Sequence, residues 1–202
     1  GDGIDYPVFS NAPPSLHHLY AHAGAEHAAL DFIVYHDERM TFGEADALSI
    51  TVGKALLARG VKPGDHVAIA MRNYPEWMIA YMAITRIGAV AVLMNAWWQT
   101  AELQFACEDS GAKIILADQQ RASRLTPIIE SHGLDVIVAR GDGSIGTAWE
   151  ALIAQADESQ EIAPPGPNDI GTLFYTSGST GNPKGVLQSH TASINTIMCW
   201  AL

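Results

Sequence analysis

Between Tyr175 and Val186 the chain reads Tyr-Thr-Ser-Gly-Ser-Thr-Gly-Asn-Pro-Lys-Gly-Val. Ser177, Ser179 and Thr180 alternate with Gly178 and Gly181, and Lys184 and Gly185 follow. Glycine lets backbone N–H groups come close to an anion and adopts φ > 0 without steric cost. Successive N–H groups in such a turn make a concave nest for negative charge. Hydroxyls add donors, and a Ser or Thr oxygen can reach a phosphate-bound Mg2+. Lysine supplies a point charge. The chemistry is that of gripping a polyphosphate.

Three other readings compete. A flexible Gly/Ser linker would account for Ser177 to Gly181 alone. It does not account for the apolar lead-in Leu173-Phe174-Tyr175 or the Pro183-Lys184-Gly185 exit. A Walker A loop needs Gly-Lys followed by Ser or Thr at a helix start; here Lys184 precedes Gly185 and Val186. A nucleophile elbow needs Gly-x-Ser-x-Gly, which the chain lacks. Val186-Leu-Gln188 has β-type sequence, so the loop is expected to join two neighbouring strands, with no helix dipole behind the anion.

The segments upstream must hold that loop. Residues 1–14 carry Pro and Gly and read as an arm. Ser15 is a candidate N-cap for a helix to about Ala29. Phe32–Tyr35 and Arg39–Phe42 predict a hairpin around Asp37-Glu38. Alternation follows: helix from Glu44 to Arg59, strand 67–71, helix from Pro75 to Ile87, strand 90–94, helix 100–110, strand 113–117, helix 119–131 with a kink at Pro127, strand 136–139, and a short helix opened by Thr147. Strands alternating with helices imply βαβ units and a mostly parallel sheet flanked by helices. Trp77 to Met94 is long and apolar enough to suggest a membrane span. Arg86 interrupts it and Gly88 sits where a helix C′ glycine belongs, so it reads as a helix followed by a buried strand. Residues 15–156 form an α/β subdomain on this reading and 157–169, acidic and Pro-rich, a linker. Residues 170–202 hold the phosphate loop and the start of a further subdomain.

The chain has 202 residues, 48% of them hydrophobic, and a formal net charge of −11. That acidity argues against nucleic acid or an anionic membrane as partner, since both select basic surface. Cys107 and Cys199 are far apart and read as free thiols in a reducing cytosol. No basic-then-apolar leader is visible, so a cytoplasmic location is expected. His18 and His22 lie four apart; with no further ligand in sight they read as a solvated helix face. Trp97 and Trp98 follow a strand end, where α/β ligand crevices lie, but packing is the favoured role. His190 follows the strand after the loop and is weighed as a packed residue against one that faces the site.

Leu173 to Gly185 resembles, position for position, the signature loop of the adenylate-forming (AMP-binding) superfamily, which includes acyl-CoA synthetases, peptide-synthetase adenylation domains and luciferases. Met40-Thr-Phe-Gly-Glu-Ala-Asp-Ala-Leu48, Gly60-Val-Lys-Pro-Gly-Asp-His-Val-Ala-Ile69, Asn73-Tyr-Pro-Glu-Trp77, Gly88-Ala-Val-Ala-Val92 and Asn95 resemble further family segments in order. The resemblance implies the N-terminal portion of the large domain of an acyl-CoA synthetase of the fatty-acid–CoA ligase branch. A carboxylic acid, fatty or aryl, would attack the α-phosphate of ATP to give an acyl-adenylate and pyrophosphate, and coenzyme A would take the acyl group. It assigns Thr176, Ser177, Gly178, Ser179, Thr180 and Gly181 to the β- and γ-phosphates, with Gly185 in the same cradle. Thr180 is the candidate contact for Mg2+ carried in with ATP, and Lys184 has a supporting electrostatic role. The adenine-, ribose- and adenylation-lysine motifs of the family belong after Leu202, so no complete catalytic set is expected here and the chain by itself should be inactive. An amino-acid adenylation domain and a non-catalytic nucleotide-binding module stay open as alternatives. The apolar C-terminal helix makes self-association into a homo-oligomer an expectation.

Overall fold

The computed structural model describes residues 8–176 and 183–200. Helix α1 spans Leu16–Glu26 with Ser15 at its N-cap position. The Ser15 hydroxyl does not cap a backbone amide, however, and instead pairs with the His18 Nδ1 at 2.8 Å. The expected hairpin forms as β1 (Asp31–Tyr35) and β2 (Glu38–Thr41), with His36 in the turn at φ 49°. Helix α2 (Phe42–Ala58) starts two residues earlier than its sequence pattern suggests, because Thr41 and Glu44 close a capping box. The Glu44 carboxylate accepts from the Thr41 amide at 2.8 Å, and the Thr41 hydroxyl accepts from the Glu44 amide at 3.3 Å. Two orphan donors are thereby satisfied at once.

The βαβ alternation then unfolds as β3 (His66–Ala70), α3 (Pro75–Arg86), β4 (Val90–Leu93), α4 (Thr100–Ser110) and β5 (Ile114–Asp118). Pro75 sits in the first turn of α3 and Gly88, at φ 77°, ends it, so the long apolar stretch is a helix and a buried strand. No described helix is long and apolar enough to cross a membrane. The helix expected over 119–131 is broken: α5 (Gln119–Leu125) passes through a 3-10 turn at Thr126–Ile128 into α6 (Ile129–His132). Pro127 lacks the N–H needed for a continuous α ladder. After β6 (Asp135–Ala139), Thr147 does not open a helix. It pairs with Ile137 in a two-residue strand, β7 (Thr147–Ala148), and α7 (Trp149–Ile153) follows. The chain returns as β8 (Ile170–Thr176) and β9 (Lys184–Ser189), then α8 (His190–Trp200).

Seven strands form one sheet in the order β7-β6-β5-β3-β4-β8-β9. Every neighbouring pair is parallel except β8 and β9. Residues of α2, α3 and α7 pack in one apolar cluster and residues of α4 and α5 in another, so helices cover both faces. Burial on both faces explains the unbroken apolar strands: Val67 to Ala70 and Ile115 to Ala117 are essentially inaccessible. The β1–β2 hairpin is tied to the sheet by Arg140, which stands just past β6 at φ 53°. Its guanidinium donates to both Glu38 oxygens at 2.9 and 2.6 Å and to Glu76 at 2.9 Å. It also lies 5.1 Å from the ring centres of Tyr35 and Tyr74.

Candidate nucleotide-phosphate site

The site begins with the handedness of two connections. Strand β3 leads into α3 on one face of the sheet, and its neighbour β4 leads into α4 on the other. Where adjacent strands send their chains to opposite faces, the loops part and leave a crevice at the carboxyl edge. Strand β8 runs parallel to β4, with Ala91 opposite Thr172 and Leu93 opposite Phe174. Its end at Thr176 therefore emerges on the same edge as residues 95–99.

The phosphate motif grows from the β8–β9 hairpin, as the β-type sequence on both sides leads one to expect. The antiparallel register continues out to Tyr175↔Gly185 and Thr176↔Lys184, the last pair before the loop. The Thr176 hydroxyl donates to the Lys184 carbonyl at 3.4 Å. Thr176, Lys184 and Gly185 are all exposed at this mouth. A Cβ on Gly185 would stand 2.9 Å from the Leu173 Cδ1 and 3.7 Å from the Tyr175 ring. The absence of a side chain there makes room for the Leu173 side chain. Ser177, Gly178, Ser179, Thr180 and Gly181 lie outside the described residues.

The β4–α4 loop beside this mouth is held by two arginines. Arg121, 2% exposed, donates from Nε to the Ala96 carbonyl at 2.7 Å and from Nη1 to both Asp118 oxygens at 3.2 and 3.3 Å. Asp118, also buried, accepts from the Arg72 amide at 2.8 Å and from the Arg121 amide at 3.0 Å. Arg124 donates to the Ala96 and Trp98 carbonyls at 3.2 and 2.8 Å. One buried ion pair thus joins the ends of β3, β4 and β5. Sequence reading did not single out these groups, because an Asp and an Arg three apart look like an ordinary exposed helix pair.

The two tryptophans divide. Trp98 packs on the α4–α5 side of the core and meets the Tyr175 ring edge-on at 5.7 Å. Trp97 does not pack: it is 69% exposed, with the Arg72 guanidinium 4.7 Å from its ring centre. The Asn95 side chain turns the backbone here, accepting from the Trp97 amide at 2.9 Å, and this presents the indole outward. His190 takes the packed role. It follows the far end of β9, about 20 Å along the strand from Lys184 at ~3.4 Å per residue. It is fully buried, and its Nδ1 accepts from the Leu16 amide at 3.3 Å. Burial lowers its pKa, with the Asp169 carboxylate opposing that shift and His17 adding to it. Cys107 is likewise a core residue whose thiol is pushed up to about 11 by burial.

The fold is an open, mostly parallel α/β sheet with helices on both faces, and the glycine- and hydroxyl-rich segment follows a strand that ends at its carboxyl edge. Residues 20–201 match the model of the AMP-binding enzyme family, and the chain belongs to that family. It is 33% identical over 153 residues to the 3-hydroxybenzoate–CoA ligase of Aromatoleum sp. (strain CIB), covering 75% of this chain and 29% of that one. It is 32% identical over 173 residues to the long-chain-fatty-acid–CoA ligase FadD13 of Mycobacterium tuberculosis (strain CDC 1551 / Oshkosh), covering 82% of this chain and 32% of the relative. The malpinin synthetase of Mortierella alpina and the nonribosomal peptide synthetase NPS2 of Ceriporiopsis subvermispora (strain B) are matched as well. Among solved structures, the anthranilate CoA ligase AuaEII in complex with anthranoyl-AMP superposes with a TM-score of 0.78 at 25% identity, over 93% of this chain and 36% of that one. The chain therefore spans about a third of the length of these CoA ligases and only 2 to 6% of the far longer synthetases.

Proposed function

We propose that this chain carries the polyphosphate-gripping part of an ATP-dependent, AMP-forming acid–thiol ligase of the cytoplasm that activates a fatty or aryl carboxylic acid and passes it to coenzyme A. The observation that carries the reading is the β8–β9 hairpin: the Thr-Ser-Gly-Ser-Thr-Gly-x-Pro-Lys-Gly sequence grows from a strand pair at the carboxyl edge of the switch point. The CoA ligases among the relatives support the choice of thiol.

The residues present fit a polyphosphate. At the end of the strand pair Thr176 brings a hydroxyl, Lys184 an exposed cationic side chain and Gly185 no side chain, types that suit an anion. The loop residues Ser177 to Gly181 would surround the β- and γ-phosphates with N–H and hydroxyl donors. Thr180 would supply an oxygen to Mg2+, which neutralises charge on the phosphates. Oriented donors of this kind act where charge develops. In the first step that charge collects on departing pyrophosphate, so Lys184 serves acyl-adenylate formation more than thiol transfer.

A titration of the isotope-labelled chain with Mg-ATP, read amide by amide, tests the grip. Shifts centred on Ser177 to Lys184, lost in Lys184→Ala, are expected. Shifts elsewhere, or none, overturn it. In the natural protein that contains this chain, pyrophosphate exchange should fall more than thioester formation from a preformed adenylate when Lys184 is replaced. The nonribosomal peptide synthetase among the relatives favours a second reading, an amino-acid adenylation domain. Exchange driven by amino acids and blind to aryl and fatty acids would select it.

A further inference from the structure

Tyr175 lies on the face of the sheet that α4 covers, directly opposite Gly185 in the hairpin stem. Its hydroxyl donates to the Asp109 Oδ2 at 2.7 Å, and the two residues are 66 positions apart in sequence. We propose that Asp109 is a positioning residue which, through the Tyr175 hydroxyl, fixes the direction in which the chain leaves β8 for the phosphate loop. The proposal rests on the polyphosphate reading of that loop.

Four observations converge on the pair. Asp109 occupies the last turn of α4 (Thr100–Ser110), where the helix macrodipole disfavours a carboxylate. Helix stability therefore gives no reason for an acid there, whereas the Tyr175 hydroxyl does. The bond lies against Gly185: a Cβ on that glycine would be in van der Waals contact with both partners, 3.8 Å from the Asp109 Oδ2 and 3.7 Å from the Tyr175 ring. The ring also meets Trp98 edge-on, and the Trp98 backbone is held by Arg124. Burial, and then the hydrogen bond to Asp109, raise the phenol pKa, so the hydroxyl stays a donor at neutral pH. Beyond Tyr175 the stem has one further pair, Thr176 with Lys184. A tether at Tyr175 therefore governs where the loop starts.

The variants Tyr175→Phe, Asp109→Ala, Asp109→Asn and the Tyr175→Phe/Asp109→Ala double separate this role from a structural one. Mg-ATP affinity and melting temperature of the 202-residue chain are measured together. Tyr175→Phe and Asp109→Ala are each expected to weaken Mg-ATP about three- to tenfold, the worth of one ordinary solvent-accessible hydrogen bond. The double should be no weaker than either single, because both remove the same bond. Asp109→Asn keeps an acceptor and should rescue binding. Asp109→Ala should melt no lower than the parent, since it relieves an unfavourable helix-end charge. Wild-type affinity in both singles, losses that multiply in the double, or an affinity loss that tracks a fall in melting temperature would each overturn the proposal. Hydrogen exchange at the Thr176 and Lys184 amides is read in the same samples without nucleotide. If the parent chain binds no Mg-ATP, the polyphosphate reading fails. Faster exchange in Asp109→Ala then still supports the tether, and unchanged exchange overturns it.

Discussion

Replacing Asp118 by alanine is expected to be among the most damaging single changes near the carboxyl edge, and the structure says why its partner is less so. Asp118 accepts the Arg72 and Arg121 amides and both contacts of the Arg121 guanidinium. Its loss leaves the buried Arg121 amide and the part-buried Arg72 amide without this acceptor, and a 2% exposed guanidinium with only the neutral Ala96 and Gln120 oxygens. Breaking a buried pair by removing one partner costs about 3–5 kcal/mol. For a domain of this size each kcal/mol moves the melting temperature by about 2–4 °C, so a fall of roughly 6–20 °C is expected. Arg121→Met is milder, because the carboxylate keeps two backbone donors and the Ala96 carbonyl keeps Arg124. The Asp118→Ala/Arg121→Met double should be more stable than Asp118→Ala alone, since it also removes the orphaned charge. Urea unfolding of the four proteins measures all three differences. Asp118→Ala within about 1 kcal/mol of the parent, or a double that falls by the sum of the singles, would refute the account, since mutually dependent residues are non-additive.

Gly146 sits at φ 60° with the Val136 carbonyl oxygen 2.1 Å from where a Cβ would be; Gly146→Ala should unfold at markedly lower urea, through both the left-handed backbone penalty of ~1–2 kcal/mol and displacement of β6, and equal midpoints would show the turn can relax. Burial depresses the His190 and His17 pKa values below the ordinary histidine range; the unfolded chain then binds more protons than the folded one as pH falls below about 6.5, so stability is full above that pH and erodes beneath it. His190→Gln should flatten that acid limb of a urea-midpoint-versus-pH curve, and an unchanged slope would assign it to other groups. Val186, Leu187, Ile197 and Trp200 are 48, 57, 44 and 87% exposed along β9 and α8; the 202-residue chain should self-associate with rising concentration in light scattering, and Leu187→Lys with Trp200→Lys should leave it monomeric, whereas a parent that stays monomeric throughout contradicts this.

Legibility in the sequence followed the range of the interactions. Pro75 and Gly88 bounded α3 where they stand, because a missing N–H and a left-handed φ act on their own residue. The strand-loop-strand character of the phosphate segment was readable from Leu173-Phe-Tyr and Val186-Leu-Gln for the same reason. Thr147 misled because a two-residue strand is set by its partner Ile137 rather than by any local period. Nothing local placed β8 beside β4, since that pairing is a choice among buried apolar strands of nearly equal sequence. Trp97 and Trp98 are adjacent and chemically alike, yet one packs against the core and the other is exposed; an asparagine turn and two distant arginines decide it. The Tyr175–Asp109 bond joins residues whose individual types suggest only a strand aromatic and a helix-end acid.

The position of β8 also sets an order of events during synthesis. Strand β4 is flanked on one side by β3, made just before it, and on the other by β8, made after roughly 75 further residues; at ~5–20 residues per second that interval is about 4–15 s. Val90, Ala91 and Val92 are all buried in the finished sheet, so during those seconds an apolar strand stands with one edge open, the geometry that recruits stray strands from other chains. Residues 170–176 close that edge. The strand that leads into the proposed phosphate loop thus also closes the open edge of β4, and translation pausing before residue 170 would lengthen the time that edge stays open.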